Sequence, residues 1–416
     1  MLVLGAGAAG LICAAEAGRR GLSVLMLERG PRPGRKLAVS GGGKANFSNR
    51  SVTPADYLCR PDAGFCRPAL EALPPGAVAR RVRAWGLPLE ERDHGRLFLT
   101  VPAPRLVAAL EEECAGHGCR LACGTDVRAV RREAGGFAVE AVDSAGAERV
   151  WRGRSLVLAL GSPAWPQIGA SHAGWRIASS LGHRVAPARP ALVPLRLSED
   201  SALRGLAGIN LPCRVTVPAA LPDAVGDAPR TFEDDLLFTH SGLSGPLALT
   251  ASLFWREGEA LGLDLLPGRD TETLLDAGGS RTARGILREL LPQRLLDAVL
   301  PAGLGRRKAA ELSRAARREI ASAIHALRVT PAGTEGLPKA EACAGGVDTA
   351  EVDAHTMESR LVPGLFLIGE LLDVTGRLGG YNLHWAWASG MAAGRAVTGG
   401  AQPLTGCKKA SPRRAR

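Results

Sequence analysis

The spacing of apolar and polar residues predicts a β-α-β unit at the start of the chain. Residues 1–4 are a short apolar run, and the glycine-rich sequence GAGAAG follows at 5–10. The alanine-rich stretch 8–20 predicts a helix that ends at Gly21. The run LSVLML at 22–27 is apolar throughout, which is typical of a parallel strand buried on both faces.

Further along, the pattern predicts one amphipathic helix and a small antiparallel sheet. Apolar residues recur with helical spacing at 104–117. Alternating residues predict three strands, at 127–130, 137–142 and 149–151, with glycine-containing turns between them. An apolar run at 156–160 predicts the strand that returns to the parallel sheet. The pattern thus predicts a β-meander between two strands of one parallel sheet.

From about residue 190 the pattern changes, and this change sets the predicted domain boundaries. Short strands with proline and glycine turns continue to 266, and a charged helical section with one apolar stripe covers 282–327. The apolar run LFLI at 365–368 and the small-residue helix after it predict a return to the first domain. We therefore predict an α/β protein in four segments: residues 1–189, an inserted substrate or cap region at 190–340 (β-rich at 190–266, helical at 280–328), the second part of the split domain at 341–400, and a flexible basic tail at 401–416.

Composition is that of an ordinary globular protein, and its positive charge is unevenly placed. Charged residues are 22% and hydrophobic residues 46% of 416 residues, which excludes disorder as the main state. A formal net charge of +11 would suit a nucleic-acid partner. Five of the basic residues, however, lie in the last nine positions: Lys408, Lys409, Arg413, Arg414 and Arg416. The charge therefore gives only weak support for a nucleic-acid partner.

Cysteine usage and hydropathy favour a reduced, cytoplasmic location. The nine cysteines contain no CxxC pair and no metal-type spacing, so we predict buried thiols and no metal site. The N-terminal apolar stretch lacks the basic start of a signal peptide. The other apolar stretches are too short or too broken to span a bilayer, so we expect no membrane partner.

The GAGAAG loop has the residues that a dinucleotide needs. Gly5 permits a tight turn, Gly7 lets the backbone approach a pyrophosphate, and Gly10 lets the helix pack close to the strand. The N–H groups at the start of the helix, from Ala8 and Ala9 onward, present partial positive charge to the phosphates.

Glu28 and the loop after it extend the predicted site. Glu28 ends the second strand, where a carboxylate accepts hydrogen bonds from a ribose diol and favours FAD or NAD over NADP. The loop at 30–49 is rich in glycine and cations and can wrap around a rigid, partly anionic ligand; a solvated basic turn is the alternative. The cofactor-binding residues predicted here are Arg29, Arg35, Lys36, Ser40, Gly41, Gly42, Gly43 and Asn46, those from Ser40 onward lying under an isoalloxazine ring.

The second part of the split domain favours FAD over NAD, because a plain NAD domain has no use for it. Gly369 and Glu370 close the strand at 365–368, and Asp373 follows. An acid after such a strand would bond the ribityl chain of a flavin. The next helix would direct its N-terminus at the flavin pyrimidine, where its dipole stabilises negative charge on the reduced ring. The contacts predicted at this helix start are Gly380, Tyr381, Asn382 and Leu383.

The sequence resembles the bacterial FAD-binding flavoproteins grouped as BaiN-like or aminoacetone-oxidase-like oxidoreductases. The matching segments run almost end to end: GAGAAGL at 5–11, GRKLAVSGGGKAN at 34–46, GRLFLT at 95–100, LVLALGSPAWPQIG at 156–169, ALVPL at 191–195, LLFTHSGLSGPLAL at 236–249 and the long segment at 344–383. The resemblance implies a split Rossmann-like FAD-binding domain with an inserted cap. It also implies a backbone contact of Val127 with adenine and places Gly161 beside the cofactor. The chain departs from the family pattern at Lys44-Ala45, where Arg-Cys is usual, and at His384, where Gln is common.

The spacing of residues reveals no certain catalytic side chain, which fits chemistry that belongs largely to a flavin. His240 is either an acid or base facing the flavin or a residue that fixes the turn before Gly242. Tyr381 and His384 are either at the flavin edge or packing residues.

The leading hypothesis is a FAD-dependent oxidoreductase that moves a hydride between the flavin and a small organic substrate, as an amine oxidase or an enone-type reductase. We expect transiently bound NAD(P)H or oxygen as the redox partner, because no second strand–GxGxxG–helix unit occurs between 150 and 340. The alternative is a non-catalytic or RNA-associated flavoprotein that binds nucleic acid through the basic tail.

Overall fold

The structure is a computed structural model that describes residues 1–218 and 229–398, and these residues form two units. The first unit joins Met1–Arg189 to the segment that starts at Ala342, and the second unit is Pro190–Glu341. The predicted basic tail at 401–416 lies outside the described residues. Within the described ranges, no helix is both long enough and apolar enough to cross a membrane.

Twelve α-helices occur in the described residues, and the predicted helices at 8–20 and 104–117 are the first and the fifth of them. The helices are α1 (Ala8–Arg19), α2 (Arg35–Gly43), α3 (Arg67–Ala72), α4 (Pro75–Ala84), α5 (Pro104–Gly116), α6 (Ala173–Ser180), α7 (Gly245–Phe254), α8 (Thr271–Asp276), α9 (Ala283–Leu287), α10 (Gln293–Val299), α11 (Arg314–His325) and α12 (Tyr381–Ala396).

The β-strands of the described residues are mostly short. They are β1 (Leu2–Leu4), β2 (Leu25–Glu28), β3 (Asn46–Asn49), β4 (Tyr57–Cys59), β5 (Leu89–Arg92), β6 (Arg96–Leu99), β7 (Arg120–Cys123), β8 (Asp126–Glu133), β9 (Gly136–Val142), β10 (Glu148–Gly153), β11 (Leu156–Leu158), β12 (Val185–Ala191), β13 (Leu195–Arg196), β14 (Asn210–Val217), β15 (Arg230–Phe238), β16 (Gly242–Ser244), β17 (Leu261–Asp264), β18 (Leu327–Val329), β19 (Gly333–Thr334), β20 (Ala342–Val347), β21 (Leu365–Leu367) and β22 (Val374–Gly376).

The first unit is built on a five-stranded parallel sheet in the order β21-β11-β1-β2-β7. Strands β1, β11 and β21 read LVL, LVL and LFL, and all of these side chains are buried. A strand covered on both faces needs an apolar residue at every position, which is why these runs do not alternate. The sheet takes strands from both parts of the split domain, so the predicted Rossmann-like α/β fold is confirmed. Its carboxyl edge is where such sheets bind ligands.

Smaller antiparallel sheets complete the first unit. Strands β8, β9 and β10 form the predicted β-meander. The pattern of residues did not predict the sheet β3-β6-β5 or the pair β4-β22. Both of these involve residues next to the glycine-rich loops, and they therefore help to position the candidate site.

Helices α1 and α12, from opposite ends of the described chain, pack closely because glycines meet backbone atoms. A Cβ atom on Gly390 would lie 2.5 Å from the carbonyl oxygen of Ala9. One on Gly394 would lie 2.7 Å from the carbonyl oxygen of Cys13. Any larger residue at either position would push the helices apart.

The second unit contains an antiparallel seven-stranded sheet in the order β18-β17-β14-β15-β16-β13-β19. Its helical section includes α11, which begins where the Ser313 side chain accepts a hydrogen bond from the N–H of Ala316. Ala316, Ile320 and Ile324 are buried, as the predicted apolar stripe requires.

Candidate cofactor site

The GAGAAG loop leaves open space at one glycine and none at the other two. A Cβ atom on Gly5, whose φ is +97°, would lie 2.5 Å from the carbonyl oxygen of Ala159. One on Gly10 would lie 2.0 Å from the carbonyl oxygen of Gly5, whereas one on Gly7 would meet nothing within 4 Å. Gly5 and Gly10 are therefore required by the fold, and Gly7 borders a space that a ligand can enter.

The start of α1 faces that space. Its N-cap residue is Gly7, which has no side chain to cap the helix, and the first helical residues are Ala8 and Ala9. Backbone N–H groups at a helix start carry partial positive charge and favour an anion. This geometry suits a pyrophosphate, as the sequence predicts.

Glu28 lies at the carboxyl end of β2, beside the loop. One carboxylate oxygen accepts from the N–H of Ala6 at 2.9 Å and the other from the N–H of Gly30 at 2.6 Å. The side chain is half-buried. Because a carboxylate oxygen has two acceptor positions, Glu28 keeps capacity for ribose hydroxyls.

The β-meander starts next to Glu28, which brings Val127 to this end of the site. The N–H of Thr125 donates to the carbonyl oxygen of Glu28 at 2.9 Å. The pairing of β8 with β9 then shifts register between Val127 and Ala129. Such a bulge removes backbone groups from regular pairing. The contact of Val127 with adenine stays a prediction.

Two predicted cations converge on the loop after β11. The Arg29 guanidinium donates to the carbonyl oxygen of Gly169. A Cβ atom on Gly169 would lie 2.6 Å from a terminal nitrogen of Arg35. Arg29 and Arg35 therefore connect the loop after β2 to the loop after β11. The latter loop begins at Gly161, whose φ is +68° and where a Cβ atom would meet nothing within 4 Å.

An ion pair joins the two parts of the split domain. Lys36 Nζ lies 2.7 Å from Glu370 Oε2, and the hydroxyl of Ser162 donates to the same oxygen at 3.3 Å. The neighbouring Gly369 has φ +68°, and a Cβ atom there would lie 3.0 Å from the Cβ of Ala9. The end of β21 thus lies against the start of α1. The sequence predicted Lys36 and Glu370 separately, but it gave no sign of their pairing or of Ser162.

The glycine run at 41–43 is left-handed and forms an exposed edge of the site. The sequence predicted a loop at 30–49; the structure adds a helical turn from Arg35, but the backbone of Ser40, Gly41 and Gly42 is not helical. The φ angles of Gly41, Gly42 and Gly43 are +56°, +64° and +83°. A Cβ atom on Gly41 would lie 2.5 Å from the N of Asn46, whereas those on Gly42 and Gly43 would meet nothing within 4 Å. A flat ring has room to approach the backbone there.

The start of α12 is held beside this run by Asn46. With its amide oriented to satisfy both groups, Asn46 donates to the carbonyl oxygen of Ser48 at 3.1 Å and accepts from the N–H of Gly380 at 3.1 Å. A Cβ atom on Gly380 would lie 2.3 Å from the carbonyl oxygen of Ser48. Asn382 exchanges two 2.8 Å hydrogen bonds with the backbone of Gly376, and Leu383 is half-buried in the first turn.

Asp373 lies in the core and is the less accessible of the two acids predicted after β21. Its side chain is buried, and its carboxylate accepts from the N–H of Gly345 at 2.9 Å. Burial raises the pKa of this carboxyl, while the Gly345 hydrogen bond opposes that rise. Asp373 therefore holds backbone in the core. The predicted ribityl contact is better suited to Glu370, whose side chain is 16% exposed.

The structure places Tyr381 and His384 in the core, as their packing alternative requires. The hydroxyl of Tyr381 accepts from Arg377 at 2.8 Å, and burial is the main cause of its raised pKa. His384 has no exposed surface; Nδ1 accepts from the Ser48 hydroxyl at 2.8 Å, and Nε2 donates to the carbonyl oxygen of Leu73 at 3.0 Å. Burial lowers the pKa of His384 to about 4, so the ring is neutral and fully bonded.

His240 belongs to the second unit and is exposed. Its carbonyl oxygen accepts from Arg204 at 2.9 Å. The side-chain hydrogen bonds of its turn come from Thr239 and Ser241: the Thr239 hydroxyl accepts from the N–H of Gly242 at 3.1 Å and lies 3.2 Å from that of Ser241. A role of His240 as acid or base stays a prediction.

The fold and site together define a Rossmann-type dinucleotide-binding protein. The site offers the N–H groups at the start of α1, the open space at Gly7, the carboxylate of Glu28 and the open edge at Gly42. These features fit a pyrophosphate, a ribose and a flat ring. A family model described as "HI0933-like protein Rossmann domain" matches residues 1–396. The chain belongs to this family and is an FAD-dependent oxidoreductase, as its resemblance implied.

Curated relatives match nearly the whole chain. The ribosomal RNA dihydrouridine synthases of Haemophilus influenzae and Escherichia coli are 36% and 37% identical, covering 95% and 94% of this chain and 98% and 96% of their own lengths. The 3-dehydro-bile acid delta(4,6)-reductase of Clostridium scindens is 31% identical and covers 95% of this chain and 98% of its own.

Proposed function

We propose that this oxidoreductase reduces a carbon–carbon double bond conjugated to a carbonyl group, and that its substrate is a uracil base of ribosomal RNA. The observation that carries the proposal is the near-complete match to relatives named for reactions of this type. This favours the enone-type reductase over the amine oxidase, the two activities that the sequence left open.

The named reactions share one chemistry. Dihydrouridine differs from uridine by saturation of the C5=C6 bond, which is conjugated to the C4 carbonyl. The bile-acid name likewise joins a 3-oxo group to double bonds at positions 4 and 6. In both cases a hydride would add to the end of a conjugated double bond that is farther from the carbonyl and a proton to its nearer end, so two electrons enter the substrate. Bound FAD supplies the hydride chemistry.

The residues of the site bind and orient the cofactor. The N–H groups at the start of α1 receive the phosphates, and the Glu28 carboxylate receives ribose hydroxyls. The start of α12, fixed by Asn46, places a positive helix end beside the edge at Gly42 and Gly43. We assign no proton donor, because the predicted candidates Tyr381 and His384 are buried and bonded.

Ribosomal RNA is preferred to a small molecule because the relatives named for it are 36–37% identical, against 31% for the bile-acid reductase. This proposal departs from the expectation of a small organic substrate. It also goes beyond the net charge, which by itself gave only weak support for a nucleic-acid partner.

An anaerobic experiment tests the reaction. The FAD-loaded protein is reduced with NADH or NADPH, freed of excess nicotinamide, and mixed with a ribosomal RNA transcript, with 2-cyclohexenone or with buffer. We expect flavin absorbance to return with RNA, and the RNA to gain two mass units at a uridine. The control is RNA whose uridines have been converted to dihydrouridine, which leaves no double bond to reduce.

Two results would contradict the proposal. Bleaching of the oxidised flavin by amines without nicotinamide, together with no response to RNA or enone, would identify an amine oxidase. Tight RNA binding with no flavin turnover under any reductant would identify a non-catalytic RNA-associated flavoprotein. A response to cyclohexenone alone would retain the reaction type and exclude RNA as substrate.

A further inference from the structure

The helical section of the second unit concentrates positive charge. Residues 281–328 contain eleven Lys and Arg against four Asp and Glu, whereas residues 229–280 contain three against nine. The two stretches are adjacent in the chain and belong to the same unit. Their opposite charge is therefore a local feature that the net charge of the protein conceals.

Some of these arginines are neutralised within the unit. Arg281 pairs with Glu289, and Arg284 lies 2.5 Å from Asp297. Arg317 pairs with Asp276 and donates to the carbonyl oxygen of Ala309. These three arginines have structural roles.

Four exposed arginines between residues 306 and 318 have no ion-pair partner among residues 1–218 and 229–398. We call them the basic face: Arg306, Arg307, Arg314 and Arg318. Lys308 lies between them in sequence, 4.0 Å from Glu311, with both side chains 57% exposed. An exposed pair at this distance contributes little, so Lys308 adds to the same positive surface.

The basic face is continuous because its two halves are tied together. Arg317 in α11 bonds back to the carbonyl oxygen of Ala309 at 3.3 Å, and Arg307 bonds to the carbonyl oxygen of Glu311 at 2.9 Å. The Arg317 bond holds the segment 306–311 against α11, and the Arg307 bond fixes the turn within that segment. Arg314 and Arg318 are one turn apart on the exposed side of that helix.

This arrangement costs stability unless an anion is bound. Like charges four residues apart in a helix repel each other by a few tenths of a kcal/mol. Glu319, the one acid in α11, has no ion-pair partner among the described residues. Guanidinium groups bind phosphate with two parallel hydrogen bonds, and they are the side chains most used for nucleic-acid backbones.

We propose that the basic face binds the phosphate backbone of the RNA substrate. This inference rests on the proposed function, because it takes RNA as the ligand. RNA is favoured over an anionic membrane because the apolar residues of α11, Ala316, Ile320 and Ile324, are buried in the unit. A surface helix that enters a bilayer must keep such residues free for lipid.

A charge-matched pair of variants tests the proposal. The face variant R306Q/R307Q/R314Q/R318Q removes four cations from the basic face. The control R80Q/R83Q/R128Q/R132Q removes four exposed cations from the first unit, so both proteins have the same net charge. Binding of a short fluorescent RNA hairpin is measured for both FAD-loaded proteins and the wild type between about 50 and 200 mM salt.

For the face variant, we expect the slope of log affinity against log salt concentration to become shallower by about 3. We also expect it to bind the RNA at least about tenfold more weakly than the wild type. The control should keep a slope within about 1 of the wild type. Equal slopes for the two variants would overturn the proposal. So would an unchanged RNA affinity together with lost binding to phosphatidylserine vesicles, which would identify a membrane surface.

The same proteins separate this inference from the proposed function. Binding is measured without turnover, and reoxidation of the reduced flavin by cyclohexenone is measured without RNA. If RNA is bound through the basic face but its uridines are never reduced, the proposed reaction is rejected and the proposed RNA-binding role of the basic face is retained. If the face variant and the control reduce the RNA equally well, the RNA-binding role of the basic face is rejected and the proposed reaction is retained.

Discussion

Lys36 Nζ lies 2.7 Å from Glu370 Oε2, and these two residues are 334 positions apart in the chain. One side chain comes from the glycine-rich loop region and the other from the end of β21, so their ion pair joins the two parts of the split domain. It does so beside the start of α1, which is the predicted phosphate-binding site.

Lys36→Met should weaken FAD binding by about tenfold, because an unpaired Glu370 carboxylate would repel the nearby phosphates. Glu370→Gln in the same protein should recover part of the loss, with a coupling energy of about 1 kcal/mol between the two sites. The measurement is the FAD dissociation constant of the two single variants and the double variant. Additive losses would show that the pair has no role in binding.

Gly7→Ala should give a folded protein that binds FAD about a hundredfold more weakly. The added methyl group meets no protein atom within 4 Å and φ is −79°, so it enters only the space meant for the pyrophosphate. Gly10→Ala should instead unfold the protein or lower its melting temperature sharply, because its Cβ would lie 2.0 Å from a carbonyl oxygen.

The matched control for these glycines is Gly116→Ala, at an exposed position of α5 where a Cβ atom meets nothing within 4 Å. It should leave FAD affinity unchanged. FAD affinity is measured by flavin fluorescence. Equal affinities of Gly7→Ala and Gly116→Ala would show that the pyrophosphate does not bind at this loop.

Glu28→Gln should raise the FAD dissociation constant about tenfold. The amide has one acceptor oxygen, so it cannot serve the N–H groups of Ala6 and Gly30 and the ribose hydroxyls as the carboxylate does. Glu91→Gln removes the same charge from an exposed ion pair with Arg50 and should change nothing. Isothermal titration of both apoproteins with FAD checks the difference.

His384→Gln should reduce the amount by which the free energy of unfolding falls at acid pH. The folded pKa of His384, about 4, lies below the ordinary value of 6.5, so its neutral form contributes stability above about pH 6.5 that is lost as pH falls toward 4. The full loss amounts to roughly 3 kcal/mol. A glutamine can accept from Ser48 and donate to Leu73 without titrating.

Urea unfolding at several pH values gives the free energies for this comparison. His183, whose pKa is also lowered mainly by burial, retains its own pH dependence in both proteins. The informative quantity is therefore the difference between variant and wild type. A constant difference from pH 7 to pH 4 would mean that His384 titrates normally in the folded protein.

The elements that depend on local pattern were predictable from the sequence. Helix α1 and the strands beside it follow from a short apolar run, a glycine turn and an alanine-rich stretch, which act within a few residues of one another. The left-handed run at Gly41 was not, because its conformation depends on contact with Asn46 and on pairing of β3 with β6. The pairing of β3 with β6 is a tertiary interaction with no local signal.

The same distinction applies to the site. Single residues such as Glu28 and Glu370 were predictable from their position at strand ends, but the partner of each was not. Asp373 was considered as a cofactor contact because it is an acid that follows a buried strand, and His384 because it lies near the predicted flavin edge. Their burial depends on α12 being enclosed by other elements, and helices of small residues give little amphipathic signal of this kind.

The contact of Gly390 and Gly394 with α1 has a consequence for the order of events during synthesis. Helix α1, the predicted phosphate-binding helix, is made first, and α12, which packs against it, is the last of the described elements to be made. The whole second unit is translated between them. The predicted cofactor pocket therefore cannot close until the second unit and α12 have been synthesised.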